Sequence, residues 1–198
     1  KVPKDLLSRL VEPLTADPRR GVVMAWWDIS NPDNLVASLI YRGYEYFTRG
    51  LDEPNFFWGY CFAIKKEVLD RAGFFDENLP LVEDVDYAYR VVALGYTIKI
   101  LREVKVWHYF RDSLGKHLSR HFKTARHKFL YVRRTGRYTD QRGTGAEYAK
   151  IVVHSALVLS LATLPWTPWI FCVLLAAALG SHLRMTVWSM SKGLKFAL

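Results

Sequence analysis

Thirty consecutive residues, Ile151 to Gly180, carry no Asp, Glu, Lys or Arg, and His154 is the one side chain among them that titrates near neutral pH. A run this poor in charge has to be buried, either in lipid hydrocarbon or in a protein core. As one helix it would extend roughly 45 Å, well past the roughly 30 Å hydrocarbon layer of a bilayer. Pro165-Trp166-Thr167-Pro168-Trp169 interrupts it, and two prolines three apart oppose a single straight helix. The run therefore reads as two helices, about 147 to 164 and about 168 to 190, joined by a Pro/Trp turn whose indoles suit a membrane interface. A single kinked helix is the rival reading, and a soluble core hairpin is the bland one. Against the soluble hairpin stand the basic residues before the run and Arg184, Lys192 and Lys195 after it. Under the positive-inside rule those cations put both ends on the cytoplasmic side. The expectation is an integral membrane protein, residues 147–198 forming the membrane helices and the remainder lying on the cytoplasmic face.

The chain's 198 residues hold 28 Lys and Arg against 19 Asp and Glu, a formal net charge of +9. Nine of those cations, with three His and a single Asp, fall between Lys116 and Arg142. A block of this kind normally attends a polyanion, either nucleic acid or the anionic face of a bilayer. Within it Leu114, Leu118, Phe122, Ala125, Phe129 and Val132 recur at steps of three or four, while Lys116, Arg120, Lys123, Arg126 and Lys128 take other faces. That spacing predicts an amphipathic helix suited to the bilayer interface, within a basic region at 113–146. The alternative is a solvated helix packed on the soluble domain. Nucleic acid is the weaker partner, because no aromatics are interleaved as stacking platforms and no RNA or DNA motif is present. Lys1 to Arg20 has no apolar h-region of a secretory signal. Cys61 and Cys172 stand apart and form neither a disulfide framework nor a zinc pattern.

Residues 1–112 read as alternating α and β elements of a soluble domain. Leu6, Leu7, Leu10, Val11 and Leu14 have helical spacing, and Ala16-Asp17-Pro18 stops the helix. Gly21 to Trp27 reads as a buried strand, and Asn31-Pro32-Asp33-Asn34 as a turn that caps a helix from Leu35 to about Thr48. Phe57 to Lys65 predicts a strand, Lys66 to Ala72 a short helix, Asp84 to Leu94 a longer one, and Tyr96 to Leu101 and Val104 to His108 two further strands.

Glu83-Asp84-Val85-Asp86 is the candidate site. Three carboxylates within four residues repel unless a cation, or a proton to be moved, lies beside them. The apolar positions Val85, Ala88, Tyr89, Val92 and Ala93 put the acids at a helix N-terminus, where the macrodipole and free N–H groups favour carboxylates. First-turn acids with no further role are the alternative.

The order of segments resembles one family. Gly59-Tyr60-Cys61-Phe62-Ala63-Ile64-Lys65-Lys66-Glu67-Val68-Leu69, Ala72-Gly73-Phe74-Phe75-Asp76-Glu77, Glu83-Asp84-Val85-Asp86-Tyr87-Ala88-Tyr89-Arg90, Gly95-Tyr96 and Val104-Lys105-Val106-Trp107-His108 look like the acceptor-side half of family 2 inverting glycosyltransferases of the GT-A fold. The resemblance covers residues 2 to 135. It implies an α/β fold, the C-terminal half of a GT-A (Rossmann-like) domain, followed by the interfacial helix and a transmembrane helical hairpin. It also implies transfer of a sugar from a UDP- or GDP-type nucleotide-sugar donor to a lipid-linked or membrane-proximal acceptor. Asp84 would be the base that takes the acceptor proton, with Glu83 positioning it or holding the acceptor. Trp58, Gly59, Asp86, Arg90 and Arg120 would be substrate-binding, and His108 would contact the metal or the phosphates. Trp58, Tyr60 and Phe57 suit sugar or prenyl stacking, or simply the core, and Asp86 and Arg90 equally suit an (i, i+4) ion pair.

Two departures accompany the resemblance. The family's Gly-Gly-Phe-Asp-Glu stands here as Gly73-Phe74-Phe75-Asp76-Glu77, and no Gln-x-x-Arg-Trp is present, Ser119-Arg120-His121-Phe122 and Ala125-Arg126-His127-Lys128-Phe129 being nearest. The second speaks against a processive polysaccharide synthase. Family members also open with a nucleotide-binding half ending in Asp-x-Asp, whose carboxylates hold a divalent metal, magnesium or manganese. Lys1-Val2-Pro3-Lys4-Asp5-Leu6-Leu7 resembles the sequence just past that motif. The main metal ligands are therefore expected outside these residues, with a separate chain carrying the nucleotide-binding half as one way of completing the enzyme. The reading from another class is a non-catalytic membrane scaffold that keeps the fold for interaction.

Overall fold

The computed structural model of the chain describes residues 1–137 and 145–192, and the chain divides into two compact units, Lys1–Asp140 and Gln141–Leu198. The first runs α1 (Leu6–Ala16), β1 (Arg20–Ile29), α2 (Leu35–Thr48), β2 (Phe62–Ile64), α3 (Lys66–Ala72), α4 (Glu83–Ala93), β3 (Thr97–His108) and α5 (Leu114–Thr135). The three strands form one sheet in the order β2-β1-β3, with β2 antiparallel and β3 parallel to β1. This is a mixed α/β unit with a small sheet.

β1 is the centre of the core. Val22, Val23, Met24 and Ala25 are fully buried, so both faces of the strand are covered and its sequence is continuously apolar rather than alternating. Packed around it are Val68 of α3, Tyr87, Ala88 and Val91 of α4, and Ile98, Ile100 and Val104 of β3. The turn after β1 behaves as its composition predicts. Asn34 caps α2 by accepting from the Ala37 N–H at 2.9 Å, and the Asn31 side chain both donates to and accepts from Phe110 across the end of β3, at 2.9 and 3.0 Å.

Two expectations about strands change. Only Phe62–Ile64 of the stretch 57–65 pairs as strand, because Phe56 and Phe57 turn into the core and Trp58 and Tyr60 pack against Trp27. The apolar character of this stretch serves packing rather than ladder formation. The two strands expected at 96–101 and 104–108 are one, β3, with a register irregularity: Ala25 pairs with Leu101, and the next residue, Trp26, pairs with Lys105. The polar Arg102-Glu103 that read as a break is this bulge, a feature that bends a strand without ending it.

The second unit holds α6 (Gly145–Ser160), a 3-10 turn (Leu161–Thr163) and α7 (Pro168–Ser191), with the chain broken at the proline segment as expected. α6 and α7 pack on each other, and His154 Nε2 meets His182 Nε2 at 3.3 Å between them. The expected hairpin of two membrane-spanning helices is corrected to one candidate span. Among the described residues α7 alone, with 24 residues, is long and apolar enough to cross a membrane, and the apolar stretch through α6 and the 3-10 turn covers only Val152–Thr163. At about 1.5 Å per residue that shorter segment falls far below the roughly 30 Å required. Lys195 and the 138–144 part of the basic region lie outside the described residues.

Gly21 opens the buried part of β1 because nothing larger fits. A Cβ there would stand 2.7 Å from Tyr96 Cβ and 3.1 Å from Val68 Cγ2. Gly21→Ala is expected to destabilise the unit by about 1–3 kcal/mol through overpacking, measured by chemical denaturation of the full chain. Unchanged stability would show that Tyr96 moves aside at no cost.

Candidate functional site

The acids at the start of α4 divide between two sides of the helix. Successive helical residues are about 100° apart, so Asp84 and Asp86 project in nearly opposite directions. Leu81, at φ 76°, and the buried Val82 precede them. A leucine in the left-handed region is strained, and that turn aims the first residues of α4 at the loop carrying Gly59.

On one side, the Gly59 N–H donates to Asp84 Oδ2 at 3.4 Å, and Gly59 itself is exposed. The space over Gly59 is bounded by Asp84 Cβ at 3.8 Å and Glu83 Oε1 at 3.9 Å from the point a Cβ would occupy. Burial first, and the negative charge of Glu83 second, push the Asp84 carboxyl above its ordinary pKa, against the pull of the Gly59 and Val85 N–H groups and of the Lys128 ammonium. Glu83 Oε2 is buried without a hydrogen-bond partner among the described residues. A buried acceptor left unmatched is uncommon and costly. The pair is thus a carboxyl primed to hold a proton at higher pH than usual, beside a second with an unused acceptor.

Aromatic stacking fixes the Gly59 loop. Trp27 at the end of β1 stacks on Tyr60 at 4.3 Å and on Trp58 at 4.7 Å, and Tyr60 Oη donates to the Ala25 carbonyl at 3.0 Å. His108, at the end of β3, lies on the same indole at 5.5 Å and edge-on to Phe110 at 4.9 Å. Burial and the nearby Arg111 cation lower the His108 pKa, which favours the neutral imidazole. Trp58, Gly59, Glu83, Asp84 and His108 are thereby linked through one aromatic cluster and one hydrogen bond.

The other side of α4 is structural. Asp86, 6% exposed, pairs with Arg90 Nε at 2.8 Å, accepts from the Tyr131 hydroxyl of α5 at 3.0 Å, and faces Arg137 at 3.6 Å. Arg90 in turn donates to the carbonyls of Ala72 and Phe74, the latter at 3.0 Å. Asp86 and Arg90 therefore form the (i, i+4) ion pair and tie α4 to α5 and to the chain after α3. They also line a cleft of about 310 Å³ with Phe74, Asp76, Arg134 and Arg137, on the side of the helix away from Asp84. Arg120 is exposed on α5 and makes no hydrogen bond or ion pair among the described residues.

Several contributors were not singled out from the sequence. Lys128 acts on Asp84 from α5. His117 and His121 meet edge-to-face at 4.2 Å on the same helix, the Nδ1 of His117 buried without a partner among the described residues; burial, then His121 and Arg111, lower the His117 pKa, and burial, then Arg111, lower that of His121. Their i, i+4 spacing was visible; the partial burial of His117 was not. No three His, Cys, Asp or Glu converge on a metal-sized site among the described residues. A divalent ion near His108 would need its main ligands from elsewhere.

Neither protein-family models nor curated proteins give a significant match to the chain.

Two substitutions separate the two sides of α4. Asp84 keeps its proton to higher pH folded than unfolded, so folding weakens as pH rises from the ordinary carboxylate value of about 3.9 through the raised one. Asp84→Asn is expected to raise the melting temperature at neutral pH, with the gain vanishing in acid; a destabilised variant at neutral pH would refute the raised pKa. Asp86→Ala leaves Arg90 without its partner and is expected to cost about 3–5 kcal/mol in chemical denaturation.

Proposed function

We propose that residues 2–135 are the acceptor-side half of an inverting glycosyltransferase, with Asp84 as general base. One observation carries this reading: a half-buried carboxyl of raised pKa opens onto the exposed backbone of Gly59 beside an unsatisfied Glu83. A base for a sugar or lipid hydroxyl needs that combination, since its pKa has to approach the working pH while its oxygen stays reachable. First-turn acids serving only the helix dipole would lie exposed and hold their protons less firmly.

In the proposed reaction the acceptor hydroxyl lies over Gly59. Asp84 takes its proton as the oxygen attacks the anomeric carbon of the nucleotide sugar from the face opposite the leaving diphosphate, forming the new glycosidic bond with inversion. Glu83 accepts a hydrogen bond from a neighbouring acceptor hydroxyl, satisfying its free oxygen. Trp58, held by Trp27, gives the acceptor a rigid apolar wall. Neutral His108 would face the donor, where a divalent magnesium or manganese would neutralise the diphosphate; no three ligating side chains converge near it among the described residues, and none of the steps above runs through the metal. Asp86 and Arg90 act by holding α4 and α5 together, and Arg120 keeps no assigned contact. α7 would anchor the site beside a lipid-linked or membrane-proximal acceptor, with the catalytic part on the cytoplasmic face.

The test is a donor screen with detergent-solubilised protein supplied with the nucleotide-binding half, following release of nucleoside diphosphate. Asp84→Asn is expected to lower turnover by about 10²–10⁴-fold with donor affinity retained. The wild-type rate should climb with pH as Asp84 loses its proton, since only the carboxylate is a base. Near-normal turnover of the variant would remove Asp84 from the reaction, and no release with any donor would favour a membrane scaffold.

A further inference from the structure

The cleft on the Asp86 side of α4 is built by the way α5 ends. Gly136, at φ 67°, stops the helix in the left-handed region and donates its N–H to the Val132 carbonyl at 2.8 Å, a conformation that glycine takes at no steric cost. The turn brings Arg137 back onto α4. Its guanidinium stands 4.8 Å over the Tyr89 ring and 3.6 Å from Asp86 Oδ1, and the Arg137 N–H donates to Thr135 Oγ1 at 3.2 Å. Arg134, in the last turn of α5, lines the same cleft and makes no hydrogen bond or ion pair among the described residues.

Charge is unbalanced there. Three arginines face two carboxylates, Asp76 and Asp86. Asp86 is taken by Arg90 and Arg137, and Arg90 directs its other nitrogens to the carbonyls of Ala72 and Phe74. Asp76 turns onto its own loop, accepting from the Asn78 N–H at 2.9 Å and from Asn78 Nδ2 at 3.0 Å. Those bonds first, and the charges of Arg134 and Arg90 after them, keep it ionised to lower pH than usual. One whole positive charge is left over, which exceeds the partial charge of about half a unit at the C-terminus of α5.

Part of the lining is apolar. Phe74 is 81% exposed although Arg90 holds its carbonyl, and the half-buried Leu79 shares the cleft. A large ring left in water gains by being covered, and about 310 Å³ is the small end of the range that holds small molecules. Inorganic phosphate would answer the charge and leave the ring bare. A carboxylate answers both demands: it is monovalent, its two oxygens match the guanidinium fork, and it carries a hydrocarbon body.

We infer that this cleft binds a small organic carboxylate, its oxygens held by Arg134 and Arg137 and its aromatic or branched body against Phe74 and Leu79. The site lies across α4 from Asp84 and is independent of glycosyl transfer.

Fluorine NMR of para-fluorobenzoate tests the inference with the full-length protein in an uncharged maltoside detergent. Saturable line broadening, reversed by excess benzoate, is expected. Arg134→Gln, at an exposed side chain with no bond to lose, and Arg137→Gln should each weaken binding about 10–100-fold, the weight of a charge-assisted hydrogen bond. Arg134→Lys, which keeps the charge without the fork, should fall between, and Phe74→Ala should cost about tenfold. Circular dichroism matching that of the wild type checks that the variants fold. Absence of saturable broadening would overturn the inference, and so would binding unchanged in both arginine variants, which would place the probe in the micelle or elsewhere on the protein. Inorganic phosphate that displaces the probe as well as benzoate does would overturn it in favour of a plain phosphate site. Equal binding of para-fluorobenzamide, the neutral isostere, would reduce the cleft to an apolar patch.

Discussion

Burying a carboxylate costs several kcal/mol unless every oxygen finds a partner, and Asp86 meets that demand from three directions. Its ion pairs with Arg90 and Arg137 and the hydrogen bond from Tyr131 join α4 to the end of α5, and Arg90 extends the link to the segment after α3. The orientation of two helices follows. α4 is held with Asp84 turned to the Gly59 loop, and α5 is held with Tyr131 inward, which leaves its apolar stripe outside. The setting of both helices depends on this one residue.

How much of this was legible in the sequence depends on whether a pattern had one physical cause or two. The uninterrupted apolar run at Gly21 to Trp27 had one, burial on both faces, and it is a strand. The run from Phe57 had two, because Phe56, Phe57, Trp58 and Tyr60 are apolar for packing against β1 and Trp27, not for pairing. Arg102-Glu103 read as a gap between strands, yet a bulge admits polar residues without ending the ladder. In the membrane-like segment, composition located the helices and their break; the length that separates a span from a shorter apolar helix depended on where α6 stopped at Ser160.

The acid cluster shows the same limit at atomic scale. Spacing placed Glu83, Asp84 and Asp86 at one helix start, and helical geometry alone separates Asp84 from Asp86. Which face would look inward was decided by Tyr131, 45 residues further on, a relation no local pattern records. Lys128, on α5, likewise acts on Asp84 from far along the chain. Burial and the adjacent Glu83 dominate the electrostatics of Asp84, and Lys128 adds a smaller opposing pull.

The stack of Trp27 with Trp58 and Tyr60 has an optical consequence. Two indoles 4.7 Å apart and only 24° from parallel, with a phenol 4.3 Å from one of them, are close enough for their excited states to mix. Such a group gives the near-ultraviolet circular dichroism a signature that changes sharply with small tilts. Because Trp58 adjoins Gly59, any shift of that loop tilts the stack. The chain therefore carries a built-in chromophore that reports the packing of the Gly59 loop with no label attached.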